Sequence, residues 1–475
     1  MTEPLWTVDE MATAMRAARR GAPSPAVTGL SIDSRTVQSG EAYFAIRGEV
    51  HDGHDFAAAA LMAGAALAVV DEAHAARFSA DTPLLIVPDV LDGLRALAVA
   101  ARARLDGRVI AVTGSVGKTS TKEMLRHVLA AQGPTHASVA SFNNHWGVPL
   151  SLARCPRDAG YAVFEIGMNH AGEITPLVAM VRPHVAIVTT VEPVHLEFFG
   201  SVEAIADAKA EIFTGLEPGG IAILNRDNGQ FARLKKKALA AGAGRVVAFG
   251  AAPRADARLI DLALHPAGSA VHARILDHDV TYKLGMPGRH MAVNSLAVLA
   301  AAALAGADLA LAALSLSQLM PQPGRGARRQ LDVVGGTATL IDESYNANPA
   351  SMAAALGVLG RVPTEGQGRR IAVIGDMLEL GPAGGALHRG LAEAVTGNGI
   401  DLVFCCGPLM RRLWEALPSN RRGGYADNAV ALESQVVAAL RAGDVVMVKG
   451  SAGSRMKVIV AALDKRFAAR DGATA

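Results

Sequence analysis

The residues best suited to chemistry form a glycine-rich turn near position 115. An apolar β-branched run ends at Val112, and Gly114, Gly117, Lys118 and Thr119 then open a helical pattern. Glycines let backbone N–H groups close on an anion, the helix N-terminus adds its positive end, and the lysine supplies a point charge. The threonine hydroxyl suits a Mg²⁺ ion on nucleotide phosphates. Valine stands at 112 where the full P-loop pattern has glycine, so this shortened P-loop predicts binding of ATP or GTP.

The elements that position this turn are strands alternating with helices. Unbroken apolar runs separated by helical patterns lie at 109–113, 161–166, 184–190, 221–224, 337–342, 371–375, 402–406 and 445–448. Such alternation is typical of a parallel sheet covered on both faces by helices. Shorter apolar runs with turn signals precede it, to about residue 105, and a Pro- and Gly-rich segment from Pro321 to Gly326 is a predicted hinge. The sequence therefore predicts an α/β fold in three blocks.

Composition argues against several classes of function. The formal net charge is only +2, so a polyanion or membrane-surface partner is not expected. The basic run at 235–237 is interpreted as a solvated helix face, and the alanine-rich stretch from 293 to 316 as a buried helix pair rather than a membrane span. The three cysteines lack metal-ligand spacing, and no secretory signal opens the chain, so a cytoplasmic location is predicted.

A second set of candidate residues follows the predicted strands. Glu165 ends the run that begins at Tyr161, His195 follows the 184–190 run by a short loop, and Lys209 lies in a helical pattern. Ligands collect beyond the carboxyl ends of parallel strands, so the carboxylate and the imidazole are candidates for a second Mg²⁺ site. Taken singly each is weak, and Lys209 alone reads as a solvated helix residue.

Together, the motifs resemble those of the Mur ligase family, the ATP-dependent amide-forming enzymes of cell-wall precursor synthesis. The matching segments occur in order along nearly the whole chain, and they begin at Thr113, Asn143, Glu165, His195, Ala208, Gly288, Gly324, Asp342 and Val448. The resemblance implies an N-terminal α/β domain that binds a UDP precursor (1–106), a central P-loop ATPase domain with a parallel sheet (107–326) and a C-terminal Rossmann-like domain (327–475).

Within the family, the chain resembles the branch that adds D-alanyl-D-alanine to UDP-N-acetylmuramoyl-tripeptide. The segment Asn346-Ala-Asn-Pro, the segment Gly375-Asp-Met-Leu-Glu-Leu-Gly and the type of N-terminal block carry this resemblance. An Asp-Asn-Pro-Arg-like motif, expected in the sister enzyme that adds the third, diamino acid, does not occur. The sister ligase and a nucleotide-binding switch without ligase activity are the alternatives.

The resemblance also implies roles for individual residues. Lys118, Glu165, His195, Lys209 and Arg325 are expected to be catalytic, and Thr119, Glu165, His195 and a carbamylated Lys209 are expected to hold two Mg²⁺ ions. The residues expected to contact ATP are Gly114, Ser115, Gly117, Lys118, Thr119, Ser120, His290, Asn294, Arg325, Asp342, Tyr345, Asn346 and Asn348.

The remaining implied residues concern the two other substrates. The residues expected to contact the UDP precursor or D-alanyl-D-alanine are Ser31, Ser34, Arg35, Arg47, Gly48, Asp52, His54, Asn144 and Lys449. Neither nucleic acid nor membrane insertion is expected, and a monomer is predicted. One departure is visible before His195, where the chain has Thr190-Val-Glu-Pro-Val instead of the Asn-x-Gly pattern often seen in the family.

Overall fold

The computed structural model describes residues 4–139, 141–194 and 196–467. Each of its larger sheets lies within one of the three predicted blocks, so the α/β architecture is confirmed. The block boundaries after residues 106 and 326 stay predictions. Among the described residues, no helix combines the length and the apolar character needed to cross a bilayer.

The first block is a small, mostly parallel sheet with helices. Strands β4 to β7 run parallel in the order β7-β6-β5-β4, and β2 joins the β7 edge antiparallel. The elements are β1 (Trp6–Thr7), α1 (Val8–Met15), β2 (Ala18–Arg20), β3 (Ala26–Val27), β4 (Gly29–Ser31), β5 (Glu41–Phe44), α2 (Ala57–Met62), β6 (Leu67–Asp71), α3 (Glu72–Ala75), β7 (Leu84–Val87) and α4 (Val90–Ala103).

The central block begins with the strand that leads into the P-loop. Its elements are β8 (Arg108–Thr113), α5 (Lys118–Ala130), β9 (Thr135–Ala137), α6 (Gly147–Ala153), β10 (Tyr161–Glu165), α7 (Ile174–Val181), β11 (Val185–Val188), α8 (Leu196–Phe199), α9 (Val202–Ala210), β12 (Ile221–Asn225), α10 (Phe231–Ala240), β13 (Arg245–Gly250), β14 (Ala257–His265), β15 (Gly268–Ile275), β16 (His278–Leu284), α11 (Arg289–Leu304) and α12 (Leu309–Ser315).

The central sheet is parallel where the sequence predicts it and antiparallel at one edge. The order is β16-β15-β14-β13-β12-β11-β8-β10-β9, with β14, β15 and β16 forming an antiparallel meander. The sequence analysis did not predict this meander, because its strands alternate buried and exposed residues and form no unbroken apolar run. Helices α5 and α11 pack on one face of the parallel part, and β8 lies near its centre. The P-loop therefore projects from a rigid strand with neighbours on both sides.

The C-terminal block is doubly wound. Its elements are β17 (Ala327–Val333), β18 (Gly336–Glu343), α13 (Pro349–Leu359), β19 (Arg370–Gly375), α14 (Gly384–Gly397), β20 (Leu402–Cys406), α15 (Arg411–Ala416), β21 (Arg422–Ala426), α16 (Ala429–Ala439), β22 (Val445–Lys449) and α17 (Lys457–Phe467). The order is β17-β18-β22-β19-β20-β21, parallel except for β17. One core contains α13, α14 and α15 and the other α16 and α17, so helices cover both faces.

Two smaller predictions are confirmed. Residues 235–237 are exposed on α10, and the alanine-rich stretch forms the buried pair α11 and α12. Cys405 and Cys406 are buried in β20.

Candidate active site

The P-loop needs glycine at both positions of its pattern, Gly114 and Gly117. Gly114 has φ +150°, and a Cβ there would lie 1.9 Å from Thr189 Oγ1. Gly117 has φ +86° and is the N-cap of α5, where a Cβ would lie 2.5 Å from Asn294 Nδ2. A side chain at either position would therefore collide with a neighbour and strain the backbone. The loop brings backbone N–H groups and the α5 N-terminus to one point, which is an anion site.

Lys118 lies in the first turn of α5 and folds back over the loop. Its Nζ donates a hydrogen bond of 2.7 Å to the Gly114 carbonyl oxygen. Burial lowers the pKa of Lys118, the charge of Glu165 opposes that shift, and the charge of Arg325 adds to it. The amine of the P-loop thus lies in the field of a carboxylate from β10 and of a guanidinium from the predicted hinge.

The segment after β11 braces the P-loop. The Ser115 hydroxyl donates to the Glu192 carbonyl oxygen at 3.1 Å and accepts from the Glu192 N–H at 2.9 Å. The Thr189 hydroxyl donates to the Val116 carbonyl oxygen at 2.6 Å. These bonds involve the segment in which the sequence departs from the family pattern. Ser115, which is predicted to bind nucleotide, therefore also stabilises the conformation of the P-loop.

Glu165 is held from one side and left open on the other. The carboxylate is buried, and Asn143 Nδ2 donates to its Oε1 at 2.7 Å. The Glu165 N–H donates to the Ser138 hydroxyl at 3.4 Å. Within the described part of the chain, Glu165 Oε2 is buried and has no hydrogen-bond partner. A buried acceptor of this kind carries a desolvation cost unless a cation or donor meets it.

Lys209 is a buried residue of α9 and not a solvated one. Its side chain makes no hydrogen bond or ion pair with any described residue. Burial, followed by the charge of Lys118, lowers the pKa of Lys209 well below its usual value. The amine is therefore disposed to be neutral and nucleophilic. His195, predicted to complete this cluster, lies outside the described residues.

The side chains of Glu165, Lys209 and Thr119 offer a set of donors that suits Mg²⁺. Glu165 contributes an unmet carboxylate oxygen, and Lys209 would become an anionic oxygen donor on reaction with CO₂. The Thr119 side chain is buried in the first turn of α5, beside Ser120. Oxygen donors of this kind are the ligands that Mg²⁺ prefers.

The predicted hinge delivers Arg325 to the P-loop side of the cleft. Arg325 Nη2 donates to the Ser141 hydroxyl at 3.4 Å, and its guanidinium lies 4.0 Å from the ring centroid of Tyr345. Asp342 holds the turn itself, because its carboxylate accepts from the Gly324 N–H at 2.9 Å and from the Ser344 hydroxyl at 2.6 Å. Asp342 thus shapes the hinge, and its predicted contact with nucleotide stays a prediction.

Residues from two blocks face one another beside the hinge. His290 lies in the first turn of α11, and Asn294 follows one turn later against Gly117. Burial lowers the pKa of His290, the charge of Glu343 opposes the shift and that of Lys449 adds to it. Lys449 Nζ donates to Glu343 Oε2 and to the Asn346 carbonyl oxygen, both at 3.1 Å. The central and C-terminal blocks therefore meet where ATP contacts are predicted.

Two predicted asparagines have local structural partners. Asn348 is the N-cap of α13, where its side chain and that of Ser351 form a reciprocal capping box. Asn144 Oδ1 accepts from the Gly147 N–H at 2.9 Å at the start of α6. Their predicted ligand contacts stay predictions. Asn143, which sequence analysis left out of the candidate set, is the neighbour that touches Glu165, and its place beside Asn144 in one motif was the available signal.

The predicted UDP-precursor residues gather at one edge of the first sheet. Ser31 ends β4, and Ser34 and Arg35 follow it, while Arg47, Gly48, Asp52 and His54 follow β5. Arg35 pairs with Asp33 at 2.6 Å, and Arg47 pairs with Asp52 at 3.0 Å. Both strands run parallel to β6, so these residues share the carboxyl edge, where ligands of parallel sheets bind.

The fold and the site define a P-loop nucleotide-binding α/β protein with a second, cation-suited cluster beside the loop. Comparison with known families then identifies it more closely. Residues 112–302 match the Mur ligase middle domain, 328–452 the glutamate ligase domain of Mur ligases, and 26–103 the Mur ligase family catalytic domain. The chain belongs to the Mur ligase family.

Individual relatives agree with this assignment. The chain is 34% identical to the UDP-N-acetylmuramoyl-tripeptide--D-alanyl-D-alanine ligase of Escherichia coli, across 92% of this chain and 93% of that protein. A crystal structure of MurF from Acinetobacter baumannii is similar with a TM-score of 0.82 and 28% identity, covering 98% of this chain and 99% of that one. MurF ligase from Thermotoga maritima in complex with ADP is similar with a TM-score of 0.73 and 27% identity, covering 92% and 98%.

Proposed function

We propose that this chain is an ATP-dependent ligase that joins D-alanyl-D-alanine to UDP-N-acetylmuramoyl-tripeptide. The product would be the pentapeptide precursor of peptidoglycan. The single observation that carries the proposal is the electrostatic cluster in which Lys118 of the P-loop lies in the fields of Glu165, Lys209 and Arg325. The similarity to named ligases of this reaction over most of the chain supports the choice of substrates.

The first step moves a phosphoryl group. The γ-phosphoryl of ATP is transferred to the free carboxylate of the tripeptide, which gives an acyl phosphate and ADP. Negative charge spreads over the transferring group, so the positive charges of Lys118 and Arg325 are proposed to stabilise it. Arg325 is suited to this task because Ser141 and Tyr345 hold its guanidinium beside the P-loop.

The second step forms the amide bond. The amine of D-alanyl-D-alanine attacks the acyl carbon, a tetrahedral intermediate forms, and phosphate leaves. Water must be excluded, because it would hydrolyse the acyl phosphate. Contact between the central and C-terminal blocks favours this: Gly381 of the C-terminal block lies against α8 of the central block, and a Cβ on Gly381 would be 3.4 Å from Glu197 Cα. Lys449 and Asn144 are proposed to lie on the substrate side of the closed cleft.

We also propose that two Mg²⁺ ions act in this site. Thr119, Glu165, His195 and Lys209, the last as a carbamate, would hold them. Bound Mg²⁺ would reduce the repulsion between the phosphates of ATP and the incoming carboxylate. Asn143 keeps Oε1 of Glu165 engaged, and Oε2 is thereby the oxygen available to a cation.

The test is the mass of the product. Purified protein is incubated with Mg²⁺ and ATP, and either UDP-N-acetylmuramoyl-tripeptide with D-alanyl-D-alanine or UDP-N-acetylmuramoyl-dipeptide with a diamino acid. The proposal predicts a product heavier than the tripeptide precursor by one dipeptide residue. A product formed only in the second mixture would assign the chain to the sister reaction. ATP binding without product in either mixture would favour the nucleotide-binding switch.

A further inference from the structure

Two histidines and two aspartates form a closed cluster at the carboxyl edge of the first sheet. The imidazole rings of His54 and His74 are stacked, with centroids 4.0 Å apart and planes 15° from parallel. Asp52 Oδ1 lies 2.6 Å from His54 Nδ1, and Asp71 Oδ1 lies 2.6 Å from His74 Nδ1. Each aspartate also accepts from the backbone N–H of the same histidine. The two Asp–His pairs thus repeat the same pattern of hydrogen bonds.

The hydrogen bonds differ between the two nitrogens of each ring. In both histidines Nδ1 lies against a carboxylate and donates to it, so Nε2 is the nitrogen that remains for another partner. His54 Nε2 accepts from the Asp71 N–H at 3.2 Å. His54 therefore has a partner at both nitrogens and serves to hold the two aspartates in place.

His74 differs from His54 in this respect. Among the described residues its Nε2 accepts no hydrogen bond, although the side chain is only 9% exposed. Asp52 Oδ2 lies 3.8 Å away from this nitrogen. A ring nitrogen without a hydrogen-bond partner among these residues and a carboxylate oxygen thus approach each other in a largely buried place. A cation between them would satisfy both atoms.

The charge of the cluster also favours a cation. Two carboxylates, those of Asp52 and Asp71, meet a single guanidinium there, because Arg47 pairs with Asp52 Oδ2 at 3.0 Å. The carboxylates outnumber the guanidinium, so a divalent cation would find a favourable electrostatic environment in the cluster.

We propose that His74 Nε2 and Asp52 Oδ2 bind a divalent transition-metal ion of the zinc class. One imidazole nitrogen and one carboxylate oxygen suit zinc better than Mg²⁺, which prefers oxygen alone. Two donors on one tetrahedral zinc lie roughly 3.4 Å apart, so a small rotation of the Asp52 carboxylate closes the site. His54 and Asp71 act as positioning residues, because they fix the ring and carboxylate that ligate.

The ion would take part in precursor binding, an extension that rests on the proposed function. Asp52 is an anion in a pocket predicted to receive a diphosphate, which is unfavourable without a cation between them. The exposed Arg47 side chain can leave Asp52 for the diphosphate, and the metal ion would then take its place on Oδ2. Metal and precursor are thus expected to strengthen each other's binding.

The test measures metal binding directly and needs no activity. Zn²⁺ is titrated calorimetrically into the full-length chain stripped of metal, with excess Mg²⁺ present to fill oxygen-donor sites. The variant His74→Asn keeps a donor for Asp71 but lacks Nε2, and His278→Asn, in an exposed hairpin turn, is the matched control. Circular dichroism verifies that each variant is folded.

The proposal predicts one Zn²⁺ per chain that His74→Asn weakens by about tenfold or more and His278→Asn leaves unchanged. Equal binding by wild type and His74→Asn, or no binding by either, would overturn it. So would ¹⁵N NMR showing His74 protonated at Nε2 in the presence of Zn²⁺. A second titration, with the UDP precursor, measures whether Zn²⁺ and the precursor raise each other's affinity. Zn²⁺ binding without this effect would support the metal site but would contradict its role in precursor binding.

Discussion

Asn143 donates a hydrogen bond of 2.7 Å to Oε1 of Glu165, whereas Oε2 of the same buried carboxylate has no partner in the described chain. The two carboxylate oxygens of Glu165 therefore differ, because in that part of the chain Oε1 accepts a hydrogen bond and Oε2 does not. Asn143 fixes the orientation of the carboxylate, whose charge acts on Lys118, and the second oxygen is left without a partner among the described residues. The relationship explains how a loop residue outside the P-loop controls a proposed metal ligand.

Replacing Asn143 should therefore change the response to Mg²⁺. In Asn143→Ala the Glu165 carboxylate loses its fixed orientation, and the Mg²⁺ concentration for half-maximal turnover should rise about 10- to 100-fold. The measurement is phosphate release over a Mg²⁺ titration, together with Mn²⁺ binding followed by electron paramagnetic resonance. Asn420→Ala, at an exposed position, is the control. An unchanged metal response in Asn143→Ala would contradict the positioning role.

Lys209 should take up CO₂ selectively at neutral pH. Since burial lowers its pKa, a larger share of this amine is neutral at pH 7 to 8 than in an exposed lysine, and that share grows as pH rises. With ¹³C-bicarbonate, a carbamate signal should appear in NMR spectra of wild type and strengthen with pH. The signal should be missing in Lys209→Arg.

Activity provides the second measurement at this position. Lys209→Ala should lose most ligase activity, and Lys209→Glu or an added short carboxylic acid should restore part of it. Full activity in Lys209→Ala would rule out a ligand role for the carbamate.

The contact between Arg325 and Tyr345 should matter for ATP more than for folding. The guanidinium lies 4.0 Å from the ring centroid, and such a pair contributes about 0.5–1 kcal/mol at a partly exposed site. Tyr345→Leu should therefore raise the KM for ATP roughly two- to fivefold. Tyr345→Phe keeps the ring and should behave like wild type. If both variants lose activity equally, the hydroxyl and not the ring face is the important group.

Asn348 separates a structural role from a ligand role. Its side chain caps α13, so Asn348→Ala should lower the free energy of unfolding by about 1 kcal/mol. Asn348→Asp retains the cap and should unfold like wild type in a urea titration. If Asn348→Asp nevertheless raises the KM for ATP severalfold, the amide also contacts the nucleotide, as the family resemblance implies.

Much of the fold follows from local sequence, and much of the site does not. The strand before Gly114 and the helix after Lys118 can each be predicted from a short continuous segment of sequence. The buried parallel strands can be predicted because they are unbroken apolar runs. The meander β14–β16 was missed because half-exposed strands lack that signal.

Burial of Lys209 and the stacking of His54 on His74 come from tertiary packing. Lys209 lies in a helical pattern with no local sign of burial. Lys118, whose charge lowers the pKa of Lys209, is far from it in the sequence. His54 and His74 follow different strands, and the parallel pairing of β5 with β6 brings them together. Asn143 lies in a motif that the sequence analysis identified. It was not chosen as a candidate because nothing in its spacing favoured it over Asn144.

Phosphate release from ATP is the most direct measure of the central claim. The assay contains the protein, Mg²⁺, ATP and UDP-N-acetylmuramoyl-tripeptide, and each component is omitted in turn. The account predicts steady release only in the complete mixture with D-alanyl-D-alanine, and its loss in Lys118→Ala, which removes the P-loop charge. Steady release that proceeds equally well without the dipeptide, or without the UDP precursor, would contradict it.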